Sequence, residues 1–232
     1  MHDSVKKLMG KVIVSCQAYE DTPLYGSQNM KLYAESALLG GATGIRACWK
    51  QDVAAIRELG DFPIVGINKI KSENDDYSGI FITPTYESAI EVVEAGADII
   101  ALDCTIRDFR GKEDLYAVLK EIKDNYPQIA IMADCASIAD AEFAAETGLV
   151  DIIATTLSRE PHETGHPDLD FIKAIRKITD IPVNAEGSIW ELQDLEAVVE
   201  AGADMITIGT AITRPHLITK RFVDCNEKLQ GK

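Results

Sequence analysis

The sequence predicts an α/β fold, a (β/α)8 TIM barrel, and three observations carry that expectation. Eight short, apolar, β-rich runs recur along the 232 residues. Segments with helical spacing separate them. One αβ half-step is also written almost twice: VVEAGADII at 92–100 returns as VVEAGADMI at 198–206. The first copy runs on into ALDCT with Asp103, the second into TIGTAITRP with Gly209 and Arg214. The scaffold repeats while its polar ending changes, so different chemistry is expected at each downstream end.

Taken in order, the strand runs are VIVSC (12–16), GIRAC (44–48), PIVGIN (63–68), DIIALD (98–103), IAIMAD (129–134), DIIATT (151–156), PVNAE (182–186) and DMITIG (204–209). Their nearly unbroken apolar character suits strands of a parallel sheet covered by helices. Helical spacing predicts helices over 30–39, 52–59, 86–94, 115–123, 138–146, 169–178, 192–200 and 219–229. Gly40, Gly60, Gly96, Gly148 and Gly202 follow several of these as stops, because glycine takes the left-handed conformation cheaply. Pro63 and Pro182 then set the chain into extended strands. Eight units fill the chain without a linker, so residues 1–232 read as one barrel domain, compact beside the ~250 residues typical of the fold. An open doubly wound sheet is the alternative. Eight even units, and no GxGxxG after the first strand, weigh against it.

Composition narrows the partners. The net charge of −15 leaves no basic stripe for nucleic acid. It also requires a local device to hold any anionic ligand. No apolar run approaches the ~20 residues that cross a membrane, and MHDSVKKLMG has no signal-peptide pattern. Five cysteines, an odd number without CxxC, fit a reducing cytoplasm. Cys16, Cys48, Cys104 and Cys135 lie within or just after strand runs, as small buried residues or, alternatively, with one as a catalytic thiol.

Barrel active sites form at the C-terminal ends of the strands. There the sequence places Ser15 and Gln17, Arg46, Lys69, Asp103, Asp134, Thr155 and Thr156, Glu186 and Gly187, then Gly209 and Thr210. Buried charge is costly unless paired, so this set suits a site for a polar, ionic substrate. A structural ion pair between Arg46 and Asp103 is the bland alternative for those two. Gly187, with Ser188 after strand seven, and Gly209, Thr210 and Arg214 around strand eight predict a phosphate site, the common use of these two loops. Metal binding is not expected. His162 and His166 have i, i+4 spacing but fall in the loop REPHETGHPD, and His2 and His216 are isolated. Trp49 and Trp190, at helix starts on the rim, read as packing residues, and 73–76 as a solvated acidic turn.

Lys69 ends the third strand. A strand-end lysine serves as a Schiff-base nucleophile or as a general base. Lys71 reads as a surface charge. Glu186 is placed to donate or accept a proton. The residues therefore support either proton abstraction beside a carbonyl or Schiff-base aldol chemistry on a phosphorylated small molecule. A non-catalytic phosphosugar-binding barrel is the reading from a different class.

A resemblance chooses between these. IVSCQA (13–18), GGATGIRA (40–47), PIVGINK (63–69), FITPT (81–85), IIALDCT (99–105), MADCAS (132–137), ATTLS (154–158), AEG (185–187) and GTAITRPHLITKRF (209–222) occur in order over nearly the whole chain. The chain resembles the N-acetylmannosamine-6-phosphate 2-epimerase (NanE-type) family. The resemblance implies an isomerase of sialic acid and amino sugar catabolism that interconverts N-acetylmannosamine 6-phosphate and N-acetylglucosamine 6-phosphate. It implies Lys69 as the lysine that moves the C2 proton, Glu186 as its acidic partner, Gln17, Arg46 and Asp134 as sugar-holding residues, and Gly187, Gly209, Thr210 and Arg214 at the phosphate end. It also implies no cofactor or metal, and a homodimer. The chain departs from the family pattern in three places. Ile70 stands where an arginine is usual, Tyr25 replaces a histidine, and Arg159–Glu160–Pro161 replaces GYT after TTLS.

Overall fold

The computed structural model describes residues 1–71, 79, 82–107, 110–159 and 163–231. Eight parallel strands, paired in chain order and closed by β1 against β8, form a barrel. They are β1 (Val12–Cys16), β2 (Gly44–Cys48), β3 (Ile64–Ile67), β4 (Ile99–Asp103), β5 (Ala130–Asp134), β6 (Ile152–Ala154), β7 (Val183–Glu186) and β8 (Met205–Ile208). All eight sequence-predicted strands are present. The (β/α)8 expectation therefore stands, and the doubly wound alternative fails because β1 and β8 are hydrogen-bonded neighbours.

The described helices are α1 (Asp3–Leu8), α2 (Ser27–Leu39), α3 (Lys50–Arg57), α4 (Tyr86–Glu94), α5 (Lys112–Asn125), α6 (Ile138–Glu146), α7 (Leu169–Ile178), α8 (Leu192–Glu200), α9 (Thr210–Thr213) and α10 (Pro215–Leu229). Two of them lie outside the helices expected from spacing. The four-residue α9 is too short to show a period. The six-residue α1 buries only Val5 and Leu8, too few to register as a helical stripe. Those two side chains nevertheless join the barrel interior with Ile13, Val65, Ile99 and Met205. Gly44 makes room for them, since a Cβ there would stand 2.6 Å from Leu8 Cδ2. The stop after α2 falls one residue later than expected: Gly40 has a helical φ of −75° and Gly41 carries the positive one, 94°.

Strand parity separates the two sides of the barrel wall. Ile99 and Ala101 lie in the interior cluster, whereas Ile100, Leu102 and Cys104 pack in the outer core with Leu115, Leu119 and Ile122 of α5. The same alternation puts Met132 inside and Ile131 and Ala133 outside. Side chains in a strand alternate faces with a period of two. Continuing the count places Ser15, Gln17, Arg46, Lys69, Asp103, Asp134, Thr156, Glu186 and Gly209 on the inward parity. The interior is thus apolar at its base and turns polar where the strands end.

Candidate active site

At the C-terminal mouth lies a cavity of about 410 Å³, within the usual range for small-molecule sites. Nine of the residues singled out from the sequence line it: Ser15, Gln17, Lys69, Thr156, Glu186, Gly187, Gly209, Thr210 and Arg214. Ser188, Trp190, Thr207 and Leu217 line it as well.

Arg46 and Asp134 also face the barrel interior but do not line the cavity. Arg46 is 1 % exposed and Asp134 fully buried. The guanidinium forks onto the carboxylate, Nη2 to Oδ2 at 2.6 Å and Nη1 to Oδ1 at 3.2 Å. Its Nη1 also stands 3.1 Å from Glu186 Oε2. Thr156 Oγ1 lies 2.7 Å from Asp134 Oδ1 and 3.2 Å from Glu186 Oε2. Burial opposes the charge on Arg46, but Asp134 and Glu186 outweigh it and raise its pKa further. Burial and the nearby Asp134 carboxylate push Glu186 above the usual carboxylate range, although Arg46, Thr156 and Lys69 pull it down. A carboxyl raised in this way is suited to carry a proton into the cavity.

Asp103 is set apart from this group. Arg110 folds back over the end of β4 and donates from Nη2 to Asp103 Oδ1 at 3.1 Å, while Thr105 donates from its backbone N and its hydroxyl at 2.8 and 2.6 Å. Asp103 does not line the cavity. The Arg46–Asp103 ion pair considered from sequence is replaced by two pairs, Arg46–Asp134 and Arg110–Asp103.

Lys69 is positioned through its backbone and through its side chain. Its main chain bridges to Ile82, and its carbonyl accepts a hydrogen bond from Trp49 Nε1 at 2.8 Å. Its Nζ lies 2.6 Å from the hydroxyl of Tyr19, a residue that the sequence reading passed over. The available signal was an aromatic side chain two positions after the strand-end Gln17. Trp49 packs edge-on against Tyr19 and Tyr25, so Tyr25 belongs to this aromatic wall. Trp190 faces the cavity and lies under Arg221. Lys71 reaches Glu20 on the surface.

The end of the cavity formed by the loops after β7 and β8 is built largely from backbone. Gly187 and Ser188 both have positive φ, 117° and 50°, and the second is a costly conformation for a residue with a Cβ. At Gly209 an added Cβ would meet Ser15 Cβ at 3.3 Å, so the loop after β8 passes tight against β1. Gln17 donates to Ser15 Oγ at 2.7 Å, while its Oε1 is buried without a partner, an acceptor left open beside the cavity.

The buried cysteines do not supply a nucleophile. Burial pushes Cys16 and Cys48 up to about 12 and raises Cys104 and Cys135 well above the ordinary thiol value. Among the described residues no cluster of three or more His, Cys, Asp or Glu is arranged to hold a metal. His166 is exposed and faces Asp194. His162, Glu160, Pro161 and the acidic turn at 73–76 lie outside the described residues. Arg159 lines a neighbouring groove with Arg107 rather than the Lys69 cavity.

Residues 30–228 match the family described as "Putative N-acetylmannosamine-6-phosphate epimerase". The chain belongs to this family. A family protein of Caldanaerobacter subterraneus subsp. tengcongensis, named as the 2-epimerase, is 40 % identical over 224 residues, 95 % of this chain and 93 % of that one. One from Listeria monocytogenes is 39 % identical over 231 residues, covering 97 % and 96 %. The solved structure of the N-acetylmannosamine-6-phosphate 2-epimerase from Clostridium perfringens superposes with a TM-score of 0.87 at 34 % identity, over 97 % of this chain and 96 % of that one. That epimerase thus shares this barrel over nearly its whole length. Among the described residues no helix is long and apolar enough to cross a membrane.

Proposed function

We propose that this protein is an isomerase that interconverts N-acetylmannosamine 6-phosphate and N-acetylglucosamine 6-phosphate in cytoplasmic amino sugar and sialic acid catabolism. The observation that carries this reading is that Lys69 and Glu186 open onto one cavity with Arg214 and the Gly187 and Gly209 loops. The phosphate is held by the backbone around Gly187, Gly209 and Thr210 and by Arg214, a local device that works against the overall negative charge. Gln17 offers its open carboxamide oxygen to a sugar hydroxyl or to the acetamido N–H, with Ser15 beside it.

With the sugar in its open form, C1 is an aldehyde and the C2 proton is acidic, because the resulting carbanion delocalises as an enolate. Lys69, as the neutral amine, takes that proton and becomes an ammonium. Rotation of the C1–C2 unit presents the other face, and the ammonium returns the proton there. Glu186, half-buried and raised, protonates the ring oxygen to open the sugar or hydrogen-bonds the C1 oxygen as charge develops. Arg46, Asp134 and Thr156 hold its carboxyl in place. Asp103, tied to Arg110, acts through the wall rather than on the substrate.

Proton NMR of N-acetylmannosamine 6-phosphate with the protein in D2O tests the reading. The C2 proton signal is expected to disappear as the glucosamine epimer grows. Folded protein that binds the sugar phosphate but neither exchanges C2 nor forms the epimer would refute it.

The chain is further proposed to act as a homodimer through α10. This fifteen-residue helix has no buried residue, and Phe222, Val223 and Leu229 are all exposed on it. An exposed apolar surface of this kind is a usual mark of an interface, and a second copy of α10 supplies a matching one. Sedimentation is expected to give twice the chain mass, and Phe222→Glu to give the monomer. A wild-type protein that sediments as a monomer at micromolar concentration rules out the dimer.

A further inference from the structure

Tyr19 lies in the loop after β1 and is anchored there by Thr22, whose backbone N and hydroxyl donate to the Tyr19 carbonyl at 3.0 and 2.9 Å. Its ring lies beside two cations. Lys69 Nζ is 5.0 Å from the ring centroid, off its hydroxyl end, and Arg214 Cζ is 5.2 Å from the centroid, within cation–π reach. Its hydroxyl is 2.6 Å from Lys69 Nζ. The edge-on contact with Trp49 fixes the ring plane, and Trp49 itself holds the Lys69 carbonyl.

We propose that Tyr19 is a positioning residue for the reaction: it holds the Lys69 nitrogen in one place in both of its protonation states, and its ring sets the spacing between Lys69 and Arg214. The inference rests on the reading of Lys69 as the carrier of the C2 proton. That reading requires the nitrogen to be an amine before the first transfer and an ammonium before the second. A phenol serves both. Its oxygen accepts an N–H from the ammonium and equally an N–H from the amine, which leaves the amine lone pair free for the C2 proton. Tyr19 passes no proton on, so the hydrogen that leaves C2 is carried by Lys69 alone. While the C1–C2 unit rotates, the ammonium must wait without swinging away, and its hydrogen bond to the phenol oxygen holds it. Sharing the ring with Arg214 adds a second consequence. The phosphate end and the reacting carbon are set a fixed distance apart by the substrate, and Tyr19 imposes the matching distance on the two cations that meet them.

Steady-state kinetics and thermal melting of the full chain test this with Tyr19→Phe, Tyr19→Leu and Lys69→Ala. Tyr19→Phe keeps the ring and loses the hydroxyl. Its kcat is expected to fall about 10- to 100-fold with KM within about threefold of wild type, since small misplacements of a reacting group carry penalties of this size. Its melting temperature should not change. Tyr19→Leu removes the ring as well and should raise KM for the sugar phosphate in addition to lowering kcat. Turnover by Lys69→Ala would overturn the Lys69 reading itself, and Tyr19 with it. An inactive Lys69→Ala beside a Tyr19→Phe of wild-type kcat overturns the Tyr19 inference alone. A Tyr19→Phe whose kcat loss comes with an equal rise in KM and a lower melting temperature assigns Tyr19 to loop stability, and also overturns it.

Discussion

Lys69→Ala is expected to abolish both epimer formation and deuterium incorporation at C2, with a loss of about 10³-fold or more in kcat, at the upper side of what a positioned acid or base contributes. The fold should survive the change. Lys69 follows β3, outside the buried cores, and its backbone contacts to Ile82 and Trp49 do not depend on the side chain. Substrate affinity should change little, because the phosphate and sugar contacts proposed above come from other loops. The variant thus separates binding from chemistry. Isothermal titration should still register the sugar phosphate while the NMR signal of the C2 proton persists in D2O. Retention of a tenth of wild-type exchange would transfer the proton to another group, and Glu186 would be the one to examine.

Arg46→Met carries the second large effect, this time on stability. The guanidinium is 1 % exposed and faces two carboxylates. Removing it leaves Asp134 and Glu186 beside each other without their counter-ion, and breaking a buried pair from one side costs about 3–5 kcal/mol. The loss should depend on pH. Arg46 is the strongest of the groups that pull Glu186 down, so the variant's Glu186 titrates higher still. An acid whose folded pKa lies above its unfolded value keeps a proton that the unfolded chain releases. Stability of the variant is therefore greatest at low pH and falls as pH rises toward the folded value. Urea titrations of wild type and variant at pH 5 and pH 8 check both points. A variant within about 1 kcal/mol of wild type at pH 8 would mean that the wall tolerates the two carboxylates unaided.

Most of the barrel is legible in the sequence for a simple reason. The strands are buried on both faces and most described helices on one stripe, so hydrophobic runs and glycine stops mark the elements directly. The strand-end list captures the cavity equally well, because parity continues past the last apolar residue: Ile13 to Ser15, Ile67 to Lys69, Ala154 to Thr156. What escapes is pairing across the barrel. Nothing near Arg46 in the chain indicates that its partner is Asp134, 88 positions on, rather than Asp103. The capture of Asp103 by Arg110 depends on a loop folding back over a strand end, a local conformation without a hydrophobic period. Tyr19 escapes for a related reason, since its importance comes from Lys69, fifty positions away. The helix α1 is missed because two buried side chains are too few to set a period.

The closure of β1 against β8 has a consequence for when the site comes into being. Thr213 donates to the Ser15 carbonyl across 198 positions of chain, and Gly209 presses on the same serine. Ser15 and Gln17 come from one side of this seam, Gly209 and Arg214 from the other. Bringing such distant segments together is among the slowest steps of folding, because loop entropy must be lost before any contact offsets it. The first strand therefore leaves the ribosome with an open edge and waits for the last. No partly synthesised chain holds the complete cavity. Substrate bound across the seam should act as a clasp on the finished barrel, slowing its opening in proportion to occupancy.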